Sequence, residues 1–239
     1  MILDFHSHIL PSMDDGSTGV EMTKAMLDEA GRQGIDILVA SSHFYPEDED
    51  ISKFLARRKS AKEKLLEVYD ESIHPKIALG AEVAYYYGIS RSPQIPSLCV
   101  DGTNYLLVEM PFLRWTQTEV EEIIALKERQ CIFPVVAHIE RYIKYQKKHV
   151  LRDLIENGIM IQSNASFFIE RKTQKQALSF IDKEIICFLG SDCHNLDTRP
   201  ENLIQAVDII RERLGEERLN AMLSVGSYCM QNAKYIKIN

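Results

Sequence analysis

The sequence predicts an α/β protein built as a closed parallel barrel. Short runs rich in β-branched residues alternate with longer amphipathic segments, and neither a Pro/Gly-rich linker nor a block of charge separates these units. Almost every predicted strand ends in a side chain that can do chemistry. This suits a barrel, in which all strand ends meet, better than an open sheet that gathers its ligand at one switch point. We therefore expect one domain over residues 1–239.

Seven strands and the helices between them follow from this alternation. The strand runs are short and apolar, and they lie at 2–5, 35–40, 77–81, 105–109, 133–137, 159–163 and 185–190. Helical patterns cover 20–33, 50–70, 118–130, 149–157, 172–183, 200–213 and 216–223. In the third of these, Val120, Ile123 and Leu126 repeat at helical spacing and bury one stripe. Thr118 and Glu121 have the spacing of a capping box at its start.

The composition excludes several classes of protein. A chain that is 45% hydrophobic and 26% charged has ample material for a core. Its net charge of −7, with basic residues spread along the chain, argues against a nucleic-acid binder. The N-terminus lacks the pattern of a signal peptide, and no apolar run approaches the roughly 20 residues of a membrane span. We therefore expect a cytoplasmic protein without membrane insertion.

Imidazoles and carboxylates stand at the ends of the apolar runs. His6 and His8 follow the first run, and because they are two residues apart in a continuing strand they share a face and can chelate one cation. Such side chains bind divalent transition metals, and strand ends bring residues that are distant in sequence together. The pattern therefore predicts a site for several metal ions. Its other members in chain order are His43, Glu82, Glu109, His138, Asp192 and His194. The strand at 159–163 is followed instead by Asn164, a polar strand end that supports the closed barrel.

Two of these strand ends carry carboxylates in an apolar setting. An unpaired ionised Glu82 or Glu109 would cost several kcal/mol there, a cost that either a cation or a buried arginine would offset. Asp14 and Asp15 lie in a turn before Gly16, where both a structural and a ligating role fit. His74 and His149, outside the strand ends, are expected to be structural or solvated.

Two arginines follow the last ligand candidates. Arg141 stands three residues after His138, and Arg199 follows the Asp192 segment. Guanidinium groups can clamp an anion in bidentate fashion, and they also form ordinary surface ion pairs. Glu140 either orients a ligand or pairs with Arg141.

A thiolate mechanism is a rival interpretation. Cys193 and Arg199 have the C-x5-R spacing of cysteine-dependent phosphatases, but the residues between them include no glycine for a phosphate cradle. Asp192 and His194 also alternate around Cys193, which turns its side chain to the opposite face. The five cysteines are odd in number and lack CxxC spacing, so neither a disulfide framework nor a thiolate zinc site is expected.

Six ordered motifs resemble the PHP (polymerase and histidinol phosphatase) superfamily, and most of all its bacterial manganese-dependent protein-tyrosine phosphatases of capsular and exopolysaccharide systems. The motifs are HSHILPSMDDG, SSHFYP, GAEV, LLVEMPF, AHIERY and GSDCHN, and they span nearly the whole chain. The resemblance implies a distorted (β/α)7 TIM-like barrel of the PHP type with a trinuclear metal site, and Arg141 and Arg199 as phosphate binders. The implied metal ligands are His6, His8, Asp15, His43, Glu82, Glu109, His138, Asp192 and His194, with Asp14 as the alternative to Asp15.

The resemblance also implies an activity. The chain would hydrolyse phosphotyrosine on the tail of a bacterial tyrosine kinase that regulates polysaccharide synthesis, using two or three Mn²⁺ ions, with Fe or Zn as alternatives. A metal-bound water or a ligand histidine such as His43 would protonate the leaving group. The SSHFYP and AHIERY segments depart from the usual Thr-Pro-His-His and His-Pro patterns, which affects neighbouring substrate contacts rather than the histidines. The alternatives are a histidinol-phosphate phosphatase or another small-molecule phosphoesterase, a nuclease, which the acidic charge disfavours, and an inactive barrel that serves as a kinase-binding module.

Overall fold

The computed structural model describes residues 1–237 and contains nine strands in that range. The strands are β1 (Leu3–Ser7), β2 (Ile37–Ala40), β3 (His43–Phe44), β4 (Lys76–Leu79), β5 (Glu82–Ala84), β6 (Tyr105–Glu109), β7 (Phe133–Val136), β8 (Met160–Asn164) and β9 (Phe188–Gly190). The α-helices of this range are α1 (Val20–Arg32), α2 (Ile51–Leu66), α3 (Gln117–Gln130), α4 (Lys148–Glu156), α5 (Ser166–Ile169), α6 (Gln174–Asp182), α7 (Leu203–Leu214) and α8 (Glu216–Cys229). Two short 3-10 helices, Ile89–Arg91 and Ile95–Leu98, stand between β5 and β6.

The strands form a curled parallel sheet that closes on itself. β1, β2 and β4 pair in that order, and β3, β5, β6, β7, β8 and β9 form a second run. Because β3 continues from β2 and β5 from β4 after two residues each, the nine strands correspond to the seven predicted ones. The ring closes where His8 N donates to Cys193 O at 2.9 Å and Asp192 N donates to His6 O at 2.8 Å. The predicted distorted (β/α)7 barrel is confirmed.

The distortion is located at β4. One edge of β4 pairs with β2, and at its other edge Ala78 forms an antiparallel bridge with Tyr235 of the C-terminal segment. Ile236 N also donates to Ile77 O at 2.9 Å. β6 pairs with β5 instead. The C-terminal segment thus occupies a place in the ring that a regular barrel fills with a neighbouring strand.

The barrel interior is apolar at one end and polar at the other. Phe5 and Phe188 stack inside it with ring centroids 4.1 Å apart. Since side chains on a strand alternate with a period of two, the face that carries Leu107 in β6 carries Glu109 at the strand's carboxyl end. The polar side chains are therefore concentrated at one mouth. The interior apolar cluster includes Leu3, Phe5, Ile37, Val39, Ala78, Leu107, Val135 and Phe188.

The helices cover the outside of the barrel. The capping box of α3 is formed by Thr116 and Glu119, so the prediction of Thr118 and Glu121 is wrong by two residues. Thr116 has the extended backbone that an N-cap requires, and Glu119 N donates to its hydroxyl at 3.3 Å. α5 is too short to give a periodic signal, and α8 runs six residues beyond the predicted end at 223. No helix in residues 1–237 has both the length and the apolar character to cross a membrane.

Candidate metal centre

The nine predicted ligand residues all lie at the carboxyl-terminal mouth of the barrel. His43 and Glu109 are largely buried, with 12% and 11% of their side chains exposed, and Asp15 is 67% exposed. The site is therefore deep, and its outer edge opens to solvent at Asp15. The other six members are buried, namely His6, His8, Glu82, His138, Asp192 and His194.

Four side chains form the deepest group. His6 Nε2 lies 3.0 Å from His8 Nε2 and 3.1 Å from Glu82 Oε2. Asp192 Oδ1 lies 3.5 Å from the same His6 nitrogen and 3.4 Å from His8 Nε2. Two imidazole nitrogens and two carboxylate oxygens thus converge on one small volume, which is the donor set of a divalent transition metal.

A second group, made of His138, Glu82 and Glu109, adjoins the first. His138 Nε2 lies 2.8 Å from Glu82 Oε1 and 3.4 Å from Glu109 Oε1. Glu82 therefore offers one oxygen to His6 and His8 and the other to His138.

The remaining group is the outer one. Asp15 Oδ1 lies 3.6 Å from His43 Nε2 and 3.3 Å from His194 Nε2. Ligand atoms of His8, Asp15, His43 and His194 all lie within 4.8 Å of one another. The turn after His8 therefore brings Asp15, not Asp14, to the outer histidines.

Several buried polar atoms of the centre have no hydrogen-bond partner among residues 1–237. They include His43 Nδ1, Glu82 Oε2 and His194 Nε2. His43 Nδ1 and Glu82 Oε2 are 3.0 Å apart, yet they are not aligned as donor and acceptor. Buried polar atoms without hydrogen bonds are costly, and bound cations would satisfy them. The donor set and its orphaned atoms therefore fit a metal centre.

The two central carboxylates are ionised. Burial opposes the ionisation of Glu82 and Asp192, yet His6 and the neighbouring imidazoles hold both pKa values well below their usual range. Two anionic side chains thus lie inside the barrel beside three or more imidazoles. This arrangement attracts divalent cations.

The histidines respond to the same carboxylates. Burial acts against protonation of His8, His43 and His138, but adjacent carboxylates raise the pKa of all three, that of His138 to about 9. Burial and the neighbouring His8 instead lower the pKa of His194 to about 4. Because a metal binds the neutral imidazole, metal binding has to displace protons from the first three.

Local backbone features place the β1 histidines. The register of β1 against β2 shifts between Asp4 and Ser7, and this bulge resets the alternation so that His6 can face the interior just after Phe5. Gly190 and Gly16 leave room for the two histidines. A Cβ at Gly190 would lie 2.5 Å from His6 Cβ, and one at Gly16 would lie 2.4 Å from His8 Cβ.

Two site residues adopt a left-handed backbone. His138 has a φ of 32° and Asp192 a φ of 56°, and each lies two residues beyond the end of its strand, β7 or β9. This conformation is uncommon for residues other than glycine, and it concentrates at functional sites where the surrounding structure enforces it. It accompanies the turn of both side chains into the centre, where His138 meets Glu82 and Asp192 meets His6 and His8.

A layer of polar residues supports the candidate ligands, and sequence reasoning missed most of it. Gln162 Oε1 accepts from His138 N at 2.6 Å and lies 3.4 Å from His6 Nδ1. Gln162 Nε2 donates to Asn164 Oδ1 at 2.9 Å, and Asn164 Nδ2 donates to Asp192 Oδ2 at 2.8 Å. The predicted strand end at Asn164 is therefore a support for Asp192. The available signal for Gln162 was a polar residue directly after the apolar start of its strand, Met160 and Ile161.

A second support lies beneath β1. Asp4 accepts from His6 N at 3.0 Å, from Ser191 N at 2.9 Å and from Ser191 Oγ at 2.5 Å. Burial raises the pKa of Asp4, and burial together with Asp4 raises that of Glu201. Asp4 therefore ties β1 to the segment that carries Asp192.

The two arginines reach the centre from the solvent side. Arg141 Nη2 and Arg199 Nη2 lie 2.5 Å and 2.6 Å from Asp192 Oδ2. Both side chains remain about one-third exposed, at 36% and 35%. Glu140 forms no ion pair with Arg141 but accepts from Ser163 Oγ at 3.0 Å and from Asn164 N at 3.3 Å. Because Asn164 in turn bonds Asp192, the orienting role of Glu140 fits the geometry. Two guanidinium groups side by side can hold an anion above the centre.

The remaining candidates lie outside the chemistry. Cys193 is buried, its Sγ donates to Asn195 O at 3.7 Å, and burial raises its pKa, so it is no thiolate. The next helix begins only at Leu203, so Cys193 does not lie at a helix N-terminus. His74 is buried against Asp28 at 2.9 Å, and His149 is exposed.

Comparison with known proteins agrees with this geometry. Residues 2–233 match the protein family described as capsular polysaccharide synthesis, CpsB/CapC. The tyrosine-protein phosphatase CpsB of Streptococcus pneumoniae is 34% identical over 241 residues, which cover 91% of this chain and 93% of that protein.

Solved structures share the fold. A chain from the crystal structures of YwqE from Bacillus subtilis and CpsB from Streptococcus pneumoniae, described as metal-dependent tyrosine phosphatases, superposes with a TM-score of 0.82 at 23% identity, covering 99% of this chain and 97% of that chain. The histidinol phosphate phosphatase of Lactococcus lactis, complexed with zinc, L-histidinol and phosphate, gives a TM-score of 0.52 at 13% identity, covering 88% of this chain and 92% of that one. The expected resemblance is confirmed, and this chain belongs to the CpsB/CapC family of capsular polysaccharide synthesis.

Proposed function

We propose that this protein is a manganese-dependent phosphatase that hydrolyses phosphotyrosine in protein substrates. The observation that carries the proposal is the position of Glu82, whose two oxygens lie 3.1 Å from His6 and 2.8 Å from His138. A carboxylate shared in this way suits two metal ions that act together on a phosphate ester. The CpsB relatives that are more than 30% identical to this chain are named tyrosine-protein phosphatases, and these names support the choice of substrate.

Three ligand sets would hold the metal ions. His6, His8, Glu82 and Asp192 would hold the deepest ion, Glu82, Glu109 and His138 a second, and Asp15, His43 and His194 a third. Mixed imidazole and carboxylate donors suit Mn²⁺, and they also accept Fe or Zn. When bound, the ions would supply Lewis-acid activation of water and neutralise charge on the phosphoryl group.

The arginines would bind the phosphoryl group. Each guanidinium contacts Asp192 Oδ2 through one nitrogen, which leaves its remaining N–H groups free to turn towards phosphoryl oxygens. Arg141 and Arg199 would thus hold the phosphorus over the centre and stabilise the charge that builds up during its transfer.

The reaction would be a direct hydrolysis. A water oxygen forms a bond to phosphorus while the bond from phosphorus to the tyrosine oxygen breaks, and tyrosine and inorganic phosphate are released. A phenol has a pKa of about 10, so its anion leaves far more readily than an alkoxide. With only the two deeper ions bound, His43 would carry no metal; burial opposes its protonation, but the adjacent Glu82 raises its pKa. His43 would then deliver a proton to that oxygen, and the attacking water would release the proton that restores it.

We further propose the phosphotyrosine-containing tail of a bacterial tyrosine kinase as the substrate. Family membership in capsular polysaccharide synthesis supports a substrate within that system. The mouth of the barrel, with Asp15 and both arginines open to solvent, is accessible to an extended segment of another protein.

A metal-reconstitution assay tests the proposal. Protein treated with a chelator should not hydrolyse a phosphotyrosine peptide, and Mn²⁺ should restore activity more fully than Zn²⁺ or Fe²⁺. Glu82→Gln should remain inactive after reconstitution, whereas Glu128→Gln on the exposed face of α3 serves as a matched control with unchanged activity.

A comparison of the phosphotyrosine peptide with histidinol phosphate as substrates separates the alternative functions. A histidinol-phosphate phosphatase would prefer histidinol phosphate, and a kinase-binding module would bind the phosphopeptide without hydrolysing it. Full activity in protein shown by elemental analysis to lack metal would exclude the proposed centre.

A further inference from the structure

We infer that a tyrosine-lined cleft beside His43 binds residues next to the phosphotyrosine of a substrate and favours a lysine or arginine there. The cleft, here called the tyrosine cleft, is lined by 45–48 and 84–87 and has a volume of about 620 Å³. This inference rests on the proposed phosphatase function and adds a sequence preference to it.

The position of the cleft follows from the sheet. Its two walls are the segments that leave β3 and β5, and these strands are paired, with His43 opposite Glu82. The carboxyl ends of paired parallel strands lie side by side, so the two segments leave the barrel together. The tyrosine cleft is therefore a direct extension of the barrel mouth.

The cleft is continuous with the metal centre. The Tyr45 ring stacks on His43 with centroids 5.0 Å apart and an interplanar angle of 23°. On the opposite wall, Ala84 is in register with Glu109, and Tyr85 N donates to Glu109 O at 2.8 Å. A peptide with its phosphate over the centre would therefore extend its neighbouring residues into this cleft.

The lining suits a cation. Tyr45 and Tyr87 are 39% and 70% exposed, and tyrosine faces attract ammonium and guanidinium groups. The protein itself makes one such contact here, because the Arg91 guanidinium lies 5.8 Å from the centroid of the Tyr87 ring. Arg91 is also 3.3 Å from Glu122, which offsets its charge.

Two carboxylates add a negative charge to the same cleft. Glu47 and Asp48 line it and are exposed. The neighbouring Glu49 does not line the cleft, and its carboxylate forms an ion pair with Arg57. The backbone amides of Asp48 and Glu49 donate to Tyr45 O, which holds the acidic turn against the aromatic wall. Tyrosine faces combined with free carboxylates are complementary to a basic side chain and repel an acidic one.

Matched peptides test the preference. Two phosphotyrosine peptides are compared that differ only in carrying lysine or glutamate on both sides of the phosphotyrosine, and kcat/KM is measured with the metal-loaded protein. We expect the lysine peptide to be favoured by about 10-fold. A second pair, in which a non-hydrolysable phosphonate replaces the phosphate, gives the same comparison as dissociation constants and needs no turnover.

Charge reversal locates the effect. Glu47→Lys with Asp48→Lys should abolish the preference in both measurements, and Tyr87→Ala should reduce it about 3-fold or more. Hydrolysis of free phosphotyrosine should stay at the level of the unmodified protein. Glu212→Lys with Glu217→Lys is the matched control, because it changes the net charge by the same amount at exposed positions of α7 and α8. α8 packs on β1 and β9, whereas the cleft follows β3 and β5. This control variant should keep the preference.

The outcomes are distinct. Equal kcat/KM and equal affinity for both peptides, with free phosphotyrosine still hydrolysed, would overturn the cleft assignment and leave the proposed function intact. The cleft assignment would also be overturned if Glu212→Lys with Glu217→Lys removed the preference as completely as Glu47→Lys with Asp48→Lys. If neither peptide nor free phosphotyrosine is hydrolysed by metal-loaded protein, the proposed function fails, and the phosphonate affinities alone then decide on the cleft.

Discussion

Asp14 Oδ2 lies 2.8 Å from His8 Nδ1, and the same oxygen accepts from His43 N at 2.9 Å. A carboxylate in this position fixes the histidine proton on Nδ1 and leaves the lone pair of Nε2 for a metal ion. The neighbouring Asp15 instead turns its carboxylate to His194. Two consecutive aspartates therefore have different roles, one as an orienting partner and one as a candidate ligand.

The first prediction separates these two aspartates. Asp14→Asn should weaken metal affinity by about 10- to 100-fold, because only the orientation of His8 is lost. Asp15→Asn should remove the outermost ion and leave the two deeper ones. Metal content and chelator competition on the purified variants measure both effects. Loss of all metal from Asp15→Asn, with Asp14→Asn unchanged, would contradict the assignment of both residues.

The second prediction concerns the arginines. Arg141→Ala and Arg199→Ala should each lower kcat/KM by about 100-fold, since charge stabilisation of the phosphoryl group is lost. Both variants should keep their metal, because neither guanidinium belongs to a ligand set. Arg211→Ala, an exposed arginine of α7, is the control. An arginine whose removal depletes the metal acts through Asp192 and not on the substrate.

The third prediction decides between water and thiolate chemistry. Cys193→Ser should keep most of the activity, because the buried thiol is protonated and donates to Asn195 O. His6→Ala with His8→Ala should abolish activity together with metal binding. A phosphocysteine trapped during turnover, or an inactive Cys193→Ser protein with full metal content, would overturn the metal-dependent hydrolysis.

The fourth prediction is a pH dependence of the metal-free protein. The pKa of His138 is raised to about 9, and those of His8 and His43 are also raised, against about 6.5 in an unfolded chain. Their protonation therefore stabilises the fold fully below about pH 6.5, and this stability is lost as the pH rises through about 9. Glu82 and Asp192, with lowered pKa values, contribute stability that is lost only at acidic pH.

Urea unfolding measures this effect. The chelated protein should lose on the order of 3 kcal/mol of unfolding free energy between about pH 6.5 and about pH 9. Metal-loaded protein should not follow this trend, because its imidazoles are already neutral and metal binding strengthens as protons leave. Equal pH profiles with and without metal would contradict the placement of the ions on these histidines.

The barrel and its candidate ligands could be predicted because their signals are local. A short apolar run marks a strand, and packing does not explain His43 shortly after one such run or Glu109 at the end of another. The capping box could not be placed in this way. Thr116 with Glu119 and Thr118 with Glu121 have the same spacing, and only the extended backbone of Thr116 decides between them.

The supporting layer depends on contacts between distant strands. Asp4 meets Ser191 only because β1 closes the barrel beside the segment that follows β9, and no pattern within either segment indicates this pairing. The left-handed backbone of His138 and Asp192 is likewise imposed by the assembled site. Sequence therefore indicated which candidate ligands the barrel brings together, but not which residues orient them.

The last prediction tests this supporting layer at Gln162. Its amide serves two sides of the centre, since Oε1 accepts from His138 N at 2.6 Å and Nε2 donates to Asn164, the partner of Asp192. Gln162→Leu should leave the buried His138 N–H without an acceptor and lower the unfolding free energy by about 1–3 kcal/mol. Metal affinity should fall by about 10- to 100-fold, because His138 and Asp192 lose their orientation together. Gln176→Leu, at the surface of α6, controls for the substitution itself. If Gln162→Leu unfolds like the unmodified protein and binds Mn²⁺ with unchanged affinity, the bond network through Gln162 does not support the centre.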